Sequence, residues 1–204
     1  GNKKMNIMVL DFESIGLEKQ FAYDLGYVIA DKDSGEIIKR KSYVISQVWN
    51  NKPLMATSYY ASKTPLYEER LKSGYSKKAS WGNVCRWLAN DLRKYNITEI
   101  YAYNSRFDSG VFNFMCNWFK VENPLGCLEI KDIMGYIKPI TDTDEYKDFC
   151  VSNGYMTKHK TPRPQKKAET LYRFMTNNIE FEEEHTGLED SLIELEILRM
   201  ALGI

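Results

Sequence analysis

The sequence predicts an α/β fold in which a three-stranded meander precedes alternating strands and helices. Two nearly unbroken apolar runs, residues 5–12 and 24–31, are typical of strands that are covered on both faces. The turn residues 33–35 then lead into an alternating stretch from Ile37 to Ile45, which is typical of a third strand. Later segments combine short strand-like runs with apolar residues at helical spacing. We therefore expect the later strands to extend the meander and the helices to cover it.

The segments after the meander follow in chain order. Residues 46–80 are polar and contain two prolines, so we expect loops with at most one short helix. Ser80 can cap a helix, because the apolar residues that follow it recur at helical spacing. The other predicted elements are a strand at 99–103, a helix with an apolar stripe from Phe107 to Trp118, a strand and a short helix within 126–138, a helical turn or two within 142–152, a helix at 166–177 and a closing helix from Thr186 to Leu202.

Length and charge limit the classes of function. A chain of 204 residues with 43% hydrophobic content can bury one substantial core, so we expect a single domain over residues 1–204. The 28 basic residues balance 28 acidic ones, and a contact with nucleic acid must therefore come from a local patch. The four cysteines lack C-x-x-C spacing, and no apolar run approaches about 18 residues. We expect a cytoplasmic protein with reduced thiols and no membrane segment.

Acidic residues at the end of the first strand indicate half of a cation site. Asp11 and Glu13 follow the apolar run, and residues i and i+2 of a strand point to the same side. Similar acidic pairs at 31–33 and 142–144 are better explained as solvated turns. The position of the pair at the end of a buried strand is therefore the informative feature.

Two further acids lie in later helices, and a histidine leads into the last of these helices. Asp108 is near the N-terminus of a predicted helix, where an acid also has a purely structural explanation. Asp190 falls on a partly buried face of the last helix, where a carboxylate needs a partner, a proton or a metal ion. His185 is a candidate general base because its ordinary pKa of about 6.5 lets it accept a proton from water, although packing or capping is the alternative.

Carboxylates that converge from separate elements are the ligands that hard cations require. Two Mg²⁺ or Mn²⁺ ions about 4 Å apart can neutralise a phosphodiester and generate hydroxide near pH 7. Several negative charges in one cleft are tolerable only when cations occupy it. The pattern thus indicates a metal-binding nuclease.

Three motifs make the chain resemble the DEDDh family of 3′-to-5′ exonucleases, relatives of the proofreading subunit of the bacterial replicative polymerase, oligoribonuclease and ribonuclease T. The motifs are D-x-E in LDFESIG, N-x-x-F-D from Asn104 to Asp108, and H-x-x-x-x-D in HTGLED from His185 to Asp190. Their order and spacing agree with the family. The chain departs from the family's frequent Thr-Thr-Gly, which is Ser14-Ile15-Gly16 here, and from a frequent histidine, which is Tyr103. Both changes concern contacts with the nucleotide rather than the metal ligands.

The resemblance implies a ribonuclease-H-like fold with a five-stranded mixed sheet, in which three antiparallel strands are followed by two strands parallel to the first. It also implies that two divalent cations, Mg²⁺ or Mn²⁺, are held by Asp11, Glu13, Asp108 and Asp190, and that His185 is the general base. The product would be a 5′-mononucleotide released from a single-stranded 3′ end. The residues implied to contact the terminal nucleotide are Ser14, Ile15, Asn104 and Phe107, with a turn role for Asn104 and a core role for Phe107 as alternatives.

A basic segment from Met156 to Lys167 is predicted to form an exposed loop. Its basic residues are candidates for contacts with the phosphate backbone of the substrate, and a solvated loop is the alternative: Lys158, Lys160, Arg163, Lys166 and Lys167. DNA and RNA remain open as substrates, since no motif specifies a contact with a 2′-hydroxyl. Candidate partners besides the nucleic acid are a replication or repair protein and a second copy of the chain.

Two other functions remain open at this stage. The first is a catalytically silent nucleic-acid-binding module of the same fold that assists a polymerase or a helicase. The second is endonucleolytic cleavage on the same scaffold. The complete set of four acids plus His185 favours the exonuclease over the silent module.

Overall fold

The computed structural model describes residues 4–18 and 20–204, and these form one six-stranded mixed sheet flanked by helices. The strands are β1 (Asn6–Ser14), β2 (Ala22–Asp31), β3 (Ile37–Ile45), β4 (Lys77–Ala79), β5 (Ile97–Ala102) and β6 (Ile130–Asp132). Their order across the sheet is β4-β3-β2-β1-β5-β6. Strands β1 to β3 form an antiparallel meander, and β5 and β6 run parallel to β1. The predicted five-strand arrangement is therefore confirmed, and β4 is an additional edge strand parallel to β3.

The helices cover both faces of the sheet. They are α1 (Ser46–Trp49), α2 (Lys52–Ala56), α3 (Thr64–Ser73), α4 (Trp81–Lys94), α5 (Ser105–Phe119), α6 (Lys138–Thr141), α7 (Asp144–Asn153), α8 (Ala168–Thr176) and α9 (Gly187–Leu202). Two features of their ends were predicted correctly: Ser80 accepts a hydrogen bond from the backbone N–H of Asn83, and α9 ends at Leu202, directly before Gly203 with a φ of 72°. Within the described part of the chain, no helix has the length and apolar character needed to cross a membrane.

The prediction for residues 46–80 was wrong. The segment contains α1, α2 and α3, a 3₁₀ turn at Ala61–Lys63 and strand β4. Its prolines do not mark loops, because Pro53 and Pro65 each lie in the first turn of a helix, where a missing N–H costs nothing. Buried aromatic side chains such as Trp49 and Tyr67 attach the segment to the main core.

The alternation of side chains along β1 divides the core into two parts. Met8, Leu10 and Phe12 pack with the cluster that includes α4 and α5, whereas Ile7 and Val9 pack with the cluster that includes α9. Helix α9 lies across β1 and β2 on this second face. Because side chains two residues apart share a face, the positions after Val9 on that face point toward the N-terminal half of α9.

Candidate active site

Asp11 and Glu13 occupy the end of β1 on the face covered by α9. They continue the row of Ile7 and Val9, and the pairing with β2 becomes irregular directly after Glu13. Both side chains are partly buried and line one open cleft of about 1340 Å³. The strand therefore delivers two carboxylates to the same place, as the sequence predicted.

Helix α9 approaches this strand end unusually closely. A Cβ atom added to Gly26 on β2 would lie 1.9 Å from the backbone nitrogen of Leu188, so only glycine permits the contact. The backbone N–H of Gly187 also donates a hydrogen bond of 2.7 Å to Asp24 on β2. These two contacts seat the first turn of α9 against the sheet and bring Asp190, which is 6% exposed, next to β1.

Two groups of potential metal ligands meet at Asp190. The first group is Asp11, Glu13 and Asp190, and the second is Glu183, His185 and Asp190. Within each group, one ligand atom per residue lies within 4.8 Å of the others. Asp190 thus connects the strand carboxylates to the histidine.

Asp108 lines the same cleft from the first turn of α5, and it lies outside both of these groups. It is 1% exposed, and its Oδ1 accepts a hydrogen bond of 3.1 Å from the backbone N–H of Phe12. The donor lies between Asp11 and Glu13 in the sequence. The structure therefore fastens Asp108 directly to the strand that presents the other two acids.

His185 is held in an uncommon geometry just before α9. Its φ is 56°, in the left-handed region that a non-glycine residue adopts only at a cost of about 1–3 kcal/mol. Its ring stacks on Tyr60 with centroids 4.6 Å apart, and its Nδ1 lies 3.7 Å from Oε2 of Glu183. Burial, with a further contribution from the charge of Lys63, lowers the pKa of His185, so the imidazole is neutral at neutral pH.

The carboxylates of the cleft destabilise one another when they are charged. Burial and the charge of Asp24 raise the pKa of Glu13 to about 7, and burial and the charge of Glu13 raise the pKa of Asp190 to about 9. Burial also raises the pKa values of Asp11 and Asp108. The cleft therefore favours either bound protons or bound cations.

The donor atoms fit a hard divalent cation. Three buried carboxylate oxygens, Oδ2 of Asp11, Oδ1 of Asp190 and Oε2 of Glu194, have no hydrogen-bond partner among the described residues. Buried polar atoms in native proteins nearly always have a partner, and an ion is one of the explanations for an exception. Oxygen ligands of this kind suit Mg²⁺ or Mn²⁺ better than a metal that prefers sulfur.

Three residues of the cleft are not among the site residues that the sequence predicted. Glu194 lies one helical turn after Asp190, a spacing that places both on one face of α9. Glu183 lines the cleft with a side chain that is 17% exposed. Tyr60 also lines the cleft, where its ring stacks on the ring of His185.

The residues predicted to bind substrate fall into two sets. Ser14, Ile15, Asn104 and Phe107 all line the cleft. The basic residues Lys158, Lys160 and Arg163 are exposed and do not line the cleft, because the loop directs them outward. The other two basic candidates, Lys166 and Lys167, do line it. A role for the first three in substrate contact stays a prediction about the approach to the cleft.

Comparison with known proteins identifies the fold. The sequence matches no protein-family model and no curated protein. Among solved structures, the nuclease domain of 3′hExo, a DEDDh family member bound to rAMP, superposes with a TM-score of 0.64 at 12% identity, over 98% of this chain and 93% of that one. A 3′-exonuclease that recognises the histone mRNA stem-loop has a TM-score of 0.62 at 13% identity, over 100% of this chain and 84% of that one.

A third solved structure extends the comparison to a longer protein. Exonuclease I, in a complex with SSB, has a TM-score of 0.61 at 13% identity, over 97% of this chain and 42% of its own length. The structural neighbours are thus exonucleases, one of them a DEDDh family member, in agreement with the motifs. The chain has their ribonuclease-H-like fold.

Proposed function

We propose that this chain is a single exonuclease domain that removes 5′-mononucleotides from the 3′ end of single-stranded nucleic acid. Asp11, Glu13, Asp108 and Asp190 hold two divalent cations, Mg²⁺ or Mn²⁺, and His185 is the general base. The observation that carries the proposal is the meeting of two ligand groups at Asp190, one from β1 and one that contains the histidine. The fold shared with DEDDh exonucleases supports the polarity of the reaction.

The chain's own residues explain each part of this chemistry. When bound, divalent cations neutralise charge on the phosphodiester and make water a stronger acid. Glu183 lies beside Nδ1 of His185, and a proton held there leaves Nε2 free to accept one from the attacking water. The stack on Tyr60 limits rotation of the ring. A neutral imidazole in a fixed orientation is the form that general base catalysis requires.

The walls of the cleft fit a nucleotide at the end of a strand. Ser14 and Ile15 line one part of it, and Asn104 and Phe107 line another. Asn104 has a φ of 60°, and its backbone N–H donates to Asp132, so this turn is fixed in position. The rAMP bound to the nuclease domain of 3′hExo supports a mononucleotide as the product of such a fold. The free thiols Cys85, Cys116, Cys127 and Cys150 support a cytoplasmic location.

The experiment uses matched DNA and RNA oligonucleotides labelled at the 5′ end, incubated with Mg²⁺ or Mn²⁺ and resolved at single-nucleotide length. The wild type should give a ladder that shortens one nucleotide at a time. Asp190→Asn should abolish hydrolysis, and His185→Ala should slow it by about 10²- to 10⁴-fold while oligonucleotide binding persists. Asp142→Asn is the matched control, since Asp142 is an exposed acid that does not line the cleft, and it should behave as wild type.

Other outcomes would point to other functions. Internal fragments from a substrate blocked at its 3′ end would indicate an endonuclease. Oligonucleotide binding without Mn²⁺ binding in calorimetry would indicate a silent binding module. If the wild-type protein left both DNA and RNA intact with either metal at neutral pH, the proposed function would be wrong.

A further inference from the structure

Glu194 is an acid in the cleft that the three sequence motifs do not include. It lies on α9 four residues after Asp190, and only 5% of its surface is exposed. Its side chain lines the same cleft as the other acids. Its Oε2 is buried and has no hydrogen-bond partner among the described residues.

The surroundings of Glu194 are strongly acidic. After burial, the charges of Asp108 and Asp190 contribute most to raising its pKa, and the charges of Glu183 and Glu13 add to them. In turn, Glu194 is the charge that raises the pKa of Asp11 most. Glu194 therefore faces carboxylates that come from β1, α5 and its own helix.

A purely structural role does not account for this arrangement. The positions that follow Glu194 on α9 hold buried apolar side chains, namely Leu195, Ile197 and Leu198. An apolar residue at 194 would avoid the cost of burying a polar atom without a partner. A structural acid would also be expected to accept a hydrogen bond from a buried donor. The cost is offset if a cation binds in the cleft.

We propose that Glu194 is a fifth carboxylate ligand of the metal centre, so that α9 contributes two acids, one helical turn apart, to the same site. This inference rests on the metal dependence of the proposed function. The ligand class is a hard divalent cation, because the groups that converge on Glu194 are carboxylates. The fifth acid increases the affinity of the centre for cations, and it destabilises the protein when no cation is bound.

The test compares wild type with Glu194→Gln, which keeps the shape of the side chain and removes its charge. The matched control is Glu196→Gln on the same helix, because Glu196 has a side chain that is 46% exposed and pairs with Arg199 on the surface. Mn²⁺ affinity is measured by calorimetric titration. Thermal unfolding is measured in chelator and in excess Mn²⁺. Glu194→Met, which also suits a helix and has a similar volume, repeats the test if the glutamine variant does not fold.

Two effects of opposite sign are expected. Glu194→Gln should weaken Mn²⁺ binding by about 10- to 100-fold, the range found when groups around metal sites are removed. The same variant should have a higher Tm than wild type in chelator and a smaller increase in Tm on addition of Mn²⁺. Glu196→Gln should match wild type in all three measurements.

The outcomes separate this inference from the proposed function. If wild type binds Mn²⁺ and Glu194→Gln binds it equally well, Glu194 is not a ligand and the proposed function is unaffected. If Glu194→Gln has a lower Tm than wild type in chelator, its role is structural and the inference is overturned. If wild type binds no Mn²⁺ at all, the proposed function and this inference both fail.

Discussion

Gly26→Ala is expected to disrupt the site without touching any acid. The added Cβ would lie 1.9 Å from the backbone nitrogen of Leu188 and 2.1 Å from the carbonyl carbon of Gly187, whereas ordinary contacts begin near 3.4 Å. The helix and the strand must therefore separate by about 1.5 Å, the difference between the closest distance and an ordinary contact. Backbone atoms lie on both sides, so no side chain can rotate away to relieve the contact.

The expected magnitudes follow from this displacement. Overpacking of a core costs about 1–3 kcal/mol, and a clash between two backbones should reach at least the upper end of that range. For a chain of this length, about 3 kcal/mol corresponds to a fall in Tm of roughly 6–12 °C. A displacement of about 1 Å between catalytic groups can reduce a rate by about 10²-fold. Because Asp190 moves with α9, Mn²⁺ affinity should fall as well.

The assay is thermal unfolding together with Mn²⁺ calorimetry and hydrolysis of a labelled oligonucleotide. Gly82→Ala is the control, because its Cβ would lie 3.9 Å from Val121, an ordinary contact, and α4 packs in a different core cluster from α9. That variant should match wild type or gain up to about 1 kcal/mol from better helix propensity. If Gly26→Ala kept the wild-type Tm and Mn²⁺ affinity, the close contact would not position Asp190 and this reasoning would be refuted.

Three further predictions concern the charges and the ring at the site. In the folded protein the pKa of Glu13 is about 7 and that of Asp190 is about 9, both above the values of the unfolded chain. The folded protein therefore binds more protons than the unfolded chain. Without metal, its free energy of unfolding should fall as pH rises from about 4 to about 9. Excess Mn²⁺ should remove most of this pH dependence in denaturant titrations. A metal-free protein whose free energy of unfolding rises over this pH range would contradict the repulsion among the buried carboxylates. Lys63→Met should raise the pKa of His185, because the charge of the lysine disfavours the charged imidazole. The acidic limb of the pH–rate profile should then move to higher pH. If the limb does not move, another group is the base. Tyr60→Leu should lower kcat by about 2- to 10-fold, since a stacked aromatic pair contributes about 0.5–1.5 kcal/mol, whereas Tyr60→Phe should keep it. Equal rates for both variants would exclude a role for the stack.

The strands and the acids at their ends could be predicted because both depend on local pattern. The end of a buried strand fixes where Asp11 and Glu13 point, and helical spacing placed Asp190 on a buried face. Glu194 was not predicted, although helical spacing places it on the same face of α9 as Asp190. The third motif ends at Asp190, and the sequence does not show that this face of α9 packs against β1. The contact that seats α9 depends on Gly26, a residue whose importance is visible only when the opposing backbone is in place.

Other errors came from signals that have two physical meanings. A proline breaks a helix from within and begins one at its first turn, and the sequence of residues 46–80 does not distinguish these cases without the packing of Trp49 and Tyr67. The run of glutamates at 182–184 has no period, so nothing local separates Glu183, which faces the cleft, from Glu184, which pairs with Arg70. Which lysines of the basic loop reach the cleft depends on how the loop leaves α7 and enters α8.

The site keeps its shape although its charges repel, because the elements that carry the acids are fixed to one another. Asp108 is tied to the backbone of β1 through Phe12, and the turn before Asp190 is tied to β2 through Asp24 and the close contact at Gly26. The repulsion among the carboxylates is therefore opposed by the packing of α9 on the sheet, so the ligands are already in place when a cation arrives. Removal of metal should therefore lower the free energy of unfolding of the protein without unfolding it. Because the site is formed before the cation binds, none of the binding free energy is needed to fold it.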